Sequence, residues 1–448
     1  MTVQIDSKQP QAGILPRSKH CISRSHIDPD ALKVLYRLHR SGHAAYLVGG
    51  SVRDLLLGRT PRDFDIGTDA HPGRLRRLFR NCRIIGRRFK LAHILFQDNK
   101  IIEVATFRRH AEAVASKSQP ARPEFNTFGT AAEDALRRDI TINGLFYDIA
   151  TFSVIDYVGG LQDLKNRCIR TIKNPTTSFT EDPIRIVRVM RHAARTGFRI
   201  EPETWNEVMA RHKTVMTCSM DRLREEFYKD LSSMKLAPLF EIFHASGFLY
   251  TLFPEFELRG PGRLPERIAF LHRLLDAAAA IDRCVATSLE PPTPSLLLAM
   301  LLMPYFSMNA WRTVPKKDLH LSAFLHERLD ALLAPLLHRI KIPHDLHVAI
   351  FQTVIICEKI RQAVYSRGSI PHSLYPAQYF QQGLALYRAD LESRGETRET
   401  VDQAKIASDD QRHVRRRRRR KPEQRAPAGD HHSQSNEARG VNPSVHKD

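Results

Sequence analysis

Asp63 and Asp65 are separated only by Phe64. In extended backbone, residues i and i+2 point to the same side. The spacing therefore sets two carboxylates side by side, as a pair of hard divalent cations requires. Upstream, Gly49-Gly50 make a turn that leads into a short helix carrying Arg53. Backbone amides at such a turn suit a phosphate chain. Either feature alone is a common surface or turn pattern. Together, within one strand–turn–helix–loop–strand unit, they are far more specific. A phosphate cradle beside paired carboxylates points to metal-dependent phosphoryl or nucleotidyl transfer.

Further charged groups follow. Gly86-Arg87-Arg88 joins two apolar stretches, and its arginines either neutralise phosphate or form an ordinary basic hairpin. Glu103 lies between apolar neighbours in Ile101-Ile102-Glu103-Val104. It is either a third acid near the metals or an edge-strand charge facing solvent. In Arg137-Arg138-Asp139-Ile140-Thr141, Asp139 either caps the next helix or joins the site, and Arg138 suits triphosphate. The second strong signal is Glu181-Asp182-Pro183-Ile184-Arg185-Ile186-Val187-Arg188-Val189-Met190-Arg191. Pro183 fits a first helical turn, and Arg185, Arg188 and Arg191 then share one face with Asp182 at its mouth. A carboxylate and guanidinium together could read a base edge without a template. The alternative is a salt-bridged surface helix. The apolar residues between these arginines favour a cleft.

The elements that must hold these residues are legible in outline. Asp28-Pro29 starts a helix, with Asp28 as its N-cap and Leu32, Leu35, Tyr36 and Leu38 on its apolar side. Residues 44–48 read as a buried strand, 51–57 as a short helix stopped by Gly58, and 64–66 as the next strand. A basic amphipathic helix begins near Pro72. Three apolar stretches follow, at 83–85, 93–96 and 101–106, the last two joined by a hairpin turn. Residues 111–126 are polar. From Thr130 the pattern turns helical, and after Ser178 it is helical almost throughout, broken near Pro254, Pro261–Pro265 and Pro291–Pro294. No fixed-period repeat is present.

Bulk properties narrow the class. A chain of 448 residues predicts two to four domains. No apolar run approaches a membrane span, and the start lacks a signal-peptide core, so a cytoplasmic location without membrane contact is expected. Six cysteines lie far apart with no C-x-x-C pair, as reduced thiols in a cytosolic protein do. The net charge of +20 favours a polyanionic partner. Arg415-Arg416-Arg417-Arg418-Arg419-Arg420 is unbroken, in a polar stretch from about Val401 that reads as disordered and RNA-binding.

As a set, these motifs resemble the class II nucleotidyltransferases, the family of bacterial poly(A) polymerases and CCA-adding tRNA enzymes. The residues that carry the resemblance are Leu47 to Asp54 with Asp63-Phe64-Asp65, Arg137 to Leu145, Glu181 to Arg188, and Arg222-Leu223-Arg224-Glu225-Glu226-Phe227. It covers roughly residues 20–260. Ile140 stands where the family has Phe, and Gly144 where it has Ala or Ser. Residues 84–93 and the arginine run lean toward poly(A) polymerase.

The resemblance implies an α+β protein: a small mixed β-sheet nucleotidyltransferase head, then a mostly α-helical neck and body and a disordered basic tail. The expected division is a flexible arm at 1–27, the head at 28–178, the neck at 179–260, the body at 261–400 and the tail at 401–448. It implies transfer of AMP from ATP to RNA 3′ ends. Asp63 and Asp65 would hold two Mg2+ ions, with Glu103 as a possible third ligand and Asp139 in catalytic support. Gly49, Gly50, Arg53 and Arg138 would face the triphosphate. Asp182 and Arg185 would read the base, and Arg188 and Arg191 would position that helix or touch phosphate. Arg87, Arg88 and Arg415 to Arg420 would contact RNA. The alternatives are a CCA-adding enzyme and a non-catalytic RNA-binding protein.

Overall fold

The computed structural model describes residues 12–86, 90–109, 128–257, 263–310 and 321–394. Arg87, Arg88, Arg415 to Arg420 and residues 111–126 therefore lie outside the described residues.

The head alternates strands with short helices. Its elements are β1 (Gly13–Leu15), α1 (Pro29–Arg40), β2 (Ala45–Val48), α2 (Gly50–Leu56), β3 (Asp65–Thr68) and α3 (Pro72–Leu78). Then come β4 (Cys82–Ile85), β5 (Leu91–Leu95), β6 (Ile101–Thr106), α4 (Ala131–Arg137), β7 (Leu145–Asp148) and β8 (Ser153–Asp156). The eight strands form one mixed sheet in the order β1-β8-β7-β2-β3-β6-β5-β4. Only β3 and β6 pair in parallel, with Ile66 opposite Val104; the other neighbours are antiparallel.

Local chemistry sets these boundaries. Asp28 accepts the amides of Asp30 and Ala31, and Pro29 opens α1. Ala31, Val34, Leu35 and Leu38 recur at helical spacing and are buried against the sheet. Leu75 and Phe79 dock α3 on the same face, where Leu47, Ile66, Ile94, Ile102 and Val104 alternate inward. Thr130 and Glu133 close a capping box that starts α4. On the opposite sheet face, Val48, Phe107, Ala135 and Phe146 form a smaller core. A Cβ at Gly67 would sit 2.7 Å from Phe107 and 3.0 Å from Val48. Only glycine lets that ring lie against β3.

Two expectations are corrected here. Residues 12–27 are not a free arm: β1 pairs along β8, and Ile22 and Ile27 are buried in the head core. The stretch after Thr130 is not continuously helical, because β7 and β8 complete the sheet.

The neck and body continue with α5 (Gly160–Lys165), β9 (Cys168–Ile169), α6 (Pro175–Glu181), α7 (Ile184–Thr196), β10 (Arg199–Ile200), α8 (Pro202–Arg211) and α9 (Met220–Leu231). Then follow α10 (Leu236–Ala245), α11 (Phe248–Leu252), α12 (Leu264–Thr287), α13 (Pro294–Ala310), α14 (Leu321–Leu332), α15 (Ala334–Arg339), α16 (His344–Arg367) and α17 (Phe380–Ser393). One continuous apolar core runs from Ile140 through α7 into the body. Among the described residues, no helix is long and apolar enough to cross a membrane.

Candidate active site

Asp65 opens β3, and Asp63 lies two residues earlier in the chain. Both line two cavities, which also share Arg62 and Lys229. The first cavity, about 640 Å³, is lined by nine arginines together with Gly49, Gly50, Asp139 and Asp182. The second, about 830 Å³, is bounded by residues 25–29, by Thr60 to Asp65 and by Asn99 to Glu103. The two carboxylates therefore stand where an arginine-rich chamber meets a less charged one.

Asp65 touches solvent at this junction, yet the protein around it sets its chemistry. Burial, then the charge of Glu103, push its carboxyl up to about 6, with Asp63 adding and Arg138 opposing. Crowded negative charge of this kind is what a divalent cation relieves. The register of β3 against β6 sets Asp65 beside Glu103. Glu103 is turned to His93 on β5, at 3.3 Å. Among the described residues, no group of three or more His, Cys, Asp or Glu side chains could hold a metal. Glu103 Oε1 comes within 3.3 Å of His93 Nε2 without a hydrogen bond, and the half-exposed carboxylate lines the second cavity beside Asp65. Two carboxylates supplemented by substrate phosphates still match how Mg2+ is usually held.

Gly49 has φ 75° and caps α2, and a Cβ there would approach Arg138 Nη1 to 3.0 Å. The glycine turn and Arg138 are thus in van der Waals contact. Arg138 Nη2 donates to Asp134 (3.0 Å), Nη1 to the Asn143 carbonyl (3.4 Å), and the guanidinium stacks over Phe146. Arg53, expected at the triphosphate, is 2 % exposed. Its Nε donates to Asp54 (2.8 Å), and its Nη1 to Asn143 Oδ1 (2.8 Å) and His192 Nδ1 (3.2 Å). It is a strut of the cavity wall.

Asp139 is buried where the head meets the neck. Arg188 Nε on α7 donates to it at 2.8 Å, and the Ile140 amide donates at 2.9 Å. Burial, the largest single influence, would raise this carboxyl, but the Arg188 charge, the neighbouring His192 and the hydrogen bonds from Ile140 and Arg188 together outweigh it and hold the group well below the usual carboxylate range. His192 sits 3.9 Å from Asp139 and 3.0 Å from the Asn143 amide nitrogen. Burial, and after it the charge of Arg53, push this histidine well below its ordinary value, so the ring is neutral at pH 7. The ring Nδ1 thus faces the Arg53 guanidinium and Nε2 the Asn143 side-chain amide.

The arginines of α7 divide by depth. Arg185 donates to Ser178 Oγ (3.0 Å) and to the Arg137 carbonyl (3.0 Å). Arg191 is buried and ion-paired to Glu226 and Asp230 of α9. It ties the two helices together. Asp182, which lines the cavity, forms a two-pronged pair with Arg222, at 3.1 and 2.9 Å. The pair makes a fixed carboxylate–guanidinium plane at the rim of the cavity on the neck side. Arg137, Asn143, His192 and Arg195 also line the chamber; Arg137 and Asn143 fall within the motif at 137–145 without being singled out, and His192 and Arg195 carry no local motif.

Fold and site together define a nucleotidyltransferase-type head on a helical body. Residues 45–170 match the family model "Poly A polymerase head domain", and residues 197–258 match "Probable RNA and SrmB- binding site of polymerase A". Poly(A) polymerase I of Escherichia coli O157:H7 is 53% identical over 203 residues, covering 44% of this chain and 43% of that protein. The CCA-adding enzyme of Bacillus subtilis is 38% identical over 200 residues, covering 44% of this chain and 49% of that protein. The chain thus spans less than half the length of these curated relatives. A crystal structure of the Bacillus stearothermophilus CCA-adding enzyme in complex with CTP superposes with a TM-score of 0.57 at 22% identity, covering 85% of this chain and 82% of that one. In its head and neck the chain is thus similar to poly(A) polymerases and CCA-adding enzymes.

Proposed function

We propose that the protein is a template-independent polynucleotide adenylyltransferase, adding AMP from ATP to RNA 3′ ends and releasing pyrophosphate. The reading is carried by the position of Asp63 and Asp65 at the junction of two cavities. The arginine-lined chamber suits a nucleoside triphosphate, and the second suits the acceptor end. The choice of poly(A) over CCA addition is supported by 53% identity to a poly(A) polymerase I against 38% to a CCA-adding enzyme.

Bound at Asp63 and Asp65, Mg2+ would lower the pKa of the acceptor hydroxyl and neutralise charge on the leaving pyrophosphate. The rest of catalysis is positioning and charge neutralisation by the chain. The Gly49-Gly50 turn and Arg138 receive the triphosphate. Arg53 holds α2 and α7 in register from inside the wall. The Asp182–Arg222 plane and Arg185 present acceptors and donors to the base edge. Arg188 keeps Asp139 ionised and draws the base-reading helix onto the head. Arg191 positions α7 without touching nucleotide. The arginine run at 415–420 adds backbone charge for RNA.

The test uses purified protein, Mg2+ and each labelled nucleoside triphosphate, alone and mixed, on two acceptors: a generic oligoribonucleotide and a tRNA lacking its 3′ end. A long ladder with ATP alone on the generic RNA is the expected result. Two C and one A added only to the tRNA would identify a CCA-adding enzyme instead.

A further inference from the structure

The basic helix α3 takes no part in the site described above. Between Ala70 and Gln97 the sequence carries Arg74, Arg76, Arg77, Arg80, Arg83 and further cations but no Asp or Glu. Leu75 and Phe79 are buried on the sheet, which leaves Arg74, Arg76, Arg77 and Arg80 exposed on the other side of the helix and Arg83 exposed on the edge strand β4. Not one of these five guanidiniums makes a hydrogen bond or ion pair with another described residue. The nearby exposed cation Arg37, at the end of α1, lies 5.2 Å over the Phe79 ring and has no carboxylate partner either. Asp69, just before α3, is engaged by His43.

Elsewhere in the head and neck, Arg53, Arg138, Arg170, Arg188 and Arg191 are each tied to acids; here five arginines are massed without any. Like charges at helical spacing weaken a helix slightly, so this surface gains nothing from its own fold. An external polyanion supplies the missing counter-charge, and weakly hydrated guanidinium suits phosphate better than ammonium does.

Sheet register says which polyanion. Arg83 pairs with His93, and His93 with Glu103; one step further, the β3–β6 register sets Asp65 beside Glu103. Arg83 thus ends, at the free edge of the sheet, the cross-strand row that begins at a catalytic carboxylate, three strands or about 14 Å away; the row lies on the sheet face opposite α3, whose arginines flank the same edge. The acceptor chamber reaches this row at Asp65 and Glu103. A strand leaving it past β4 meets the arginines about four or more nucleotides from its 3′ end.

We propose that the arginine face of α3 and β4 is a docking surface for the phosphate backbone of the acceptor RNA upstream of its 3′ end. It is separate from the stretch at 197–258 that matches the RNA-binding family model. The proposal rests on the adenylyltransferase reading only for the direction in which the RNA runs.

The test is the triple variant Arg76→Ala/Arg77→Ala/Arg80→Ala in the full chain. Binding to a single-stranded RNA of about 20 nucleotides is measured across salt concentrations. The slope of log K against log salt should fall by about 2, from three lost contacts on single strands. The KM for that RNA should rise about tenfold with kcat unchanged, while addition to an acceptor of about three nucleotides is untouched. The triple Lys variant should keep most of the slope. An unchanged slope and KM overturn the proposal. So does an equal loss on short and long acceptors, which would place the effect in the catalytic chamber. If the wild-type protein adds no nucleotide at all, the adenylyltransferase reading fails, and the salt slope still decides the surface.

Discussion

Single side chains give the most direct tests. If Asp63 and Asp65 hold the metal as proposed, Asp63→Ala or Asp65→Ala should lower AMP incorporation by about 10³-fold or more, since each would remove a ligand rather than a packing group. Far-UV circular dichroism and the melting temperature should stay at wild-type values; retained activity would remove the carboxylate pair from the mechanism. His192 supplies a different test. The folded protein keeps it neutral, whereas the unfolded chain protonates it near pH 6.5. Below that value the unfolded state binds a proton that the native state refuses, so stability falls as pH drops. In His192→Gln, the stability lost between pH 7 and pH 5 should be smaller by about 1–2 kcal/mol, read from denaturant titrations. An unchanged pH dependence would mean that the ring protonates in place. The Asp139 carboxylate adds acid sensitivity only lower, from the ordinary carboxylate range downward, because its folded value is depressed.

At the scale of elements, α7 is the hinge between chemistry and scaffold. Its outer arginines face the chamber, and Arg191 is locked to Glu226 and Asp230 inside the neck. Arg191→Met should destabilise the protein by about 3–5 kcal/mol, since two carboxylates would stay buried without their counter-charge. Thermal unfolding checks this, and a shift under a degree would show that water reaches the triad. Much of this level was legible beforehand. Asp28-Pro29, the Gly49-Gly50 turn, the hairpin at 91–106 and the 185–188–191 spacing are local patterns, and each formed as the sequence implied. β7 escaped because Leu145, Phe146 and Tyr147 ahead of a single aspartate are too short a run to show a period of their own. β1 escaped because three residues between turns are too short to signal a strand. The partners of Asp182 and Arg53 were not legible at all: Arg222 lies 40 residues away and His192 lies 139. Only tertiary folding brings them in, so a residue type could mark the site while its orientation stayed hidden.

For the whole molecule, charge is the governing quantity. The +20 balance is spread over the arginine chamber, the face of α3 and β4, and the run at 415–420. Deleting everything after Val401 should weaken RNA binding and reduce the salt slope by up to about 4, if all six arginines in the run touch phosphate. Equal binding of both forms at every salt concentration would leave the tail without a role in RNA contact. The relation of head to body has a consequence during synthesis. Every strand of the eight-stranded sheet lies between Gly13 and Asp156, and the core behind it draws on residues 22–154 alone. Domains generally fold as units, N-terminal first, while the chain is still being made. The head can therefore close on the ribosome before α7 has emerged. Asp139 then waits without Arg188, which lies 32 residues beyond the last strand of the sheet. The nascent chain holds a finished sheet and an unfinished site, which is completed only as the neck docks.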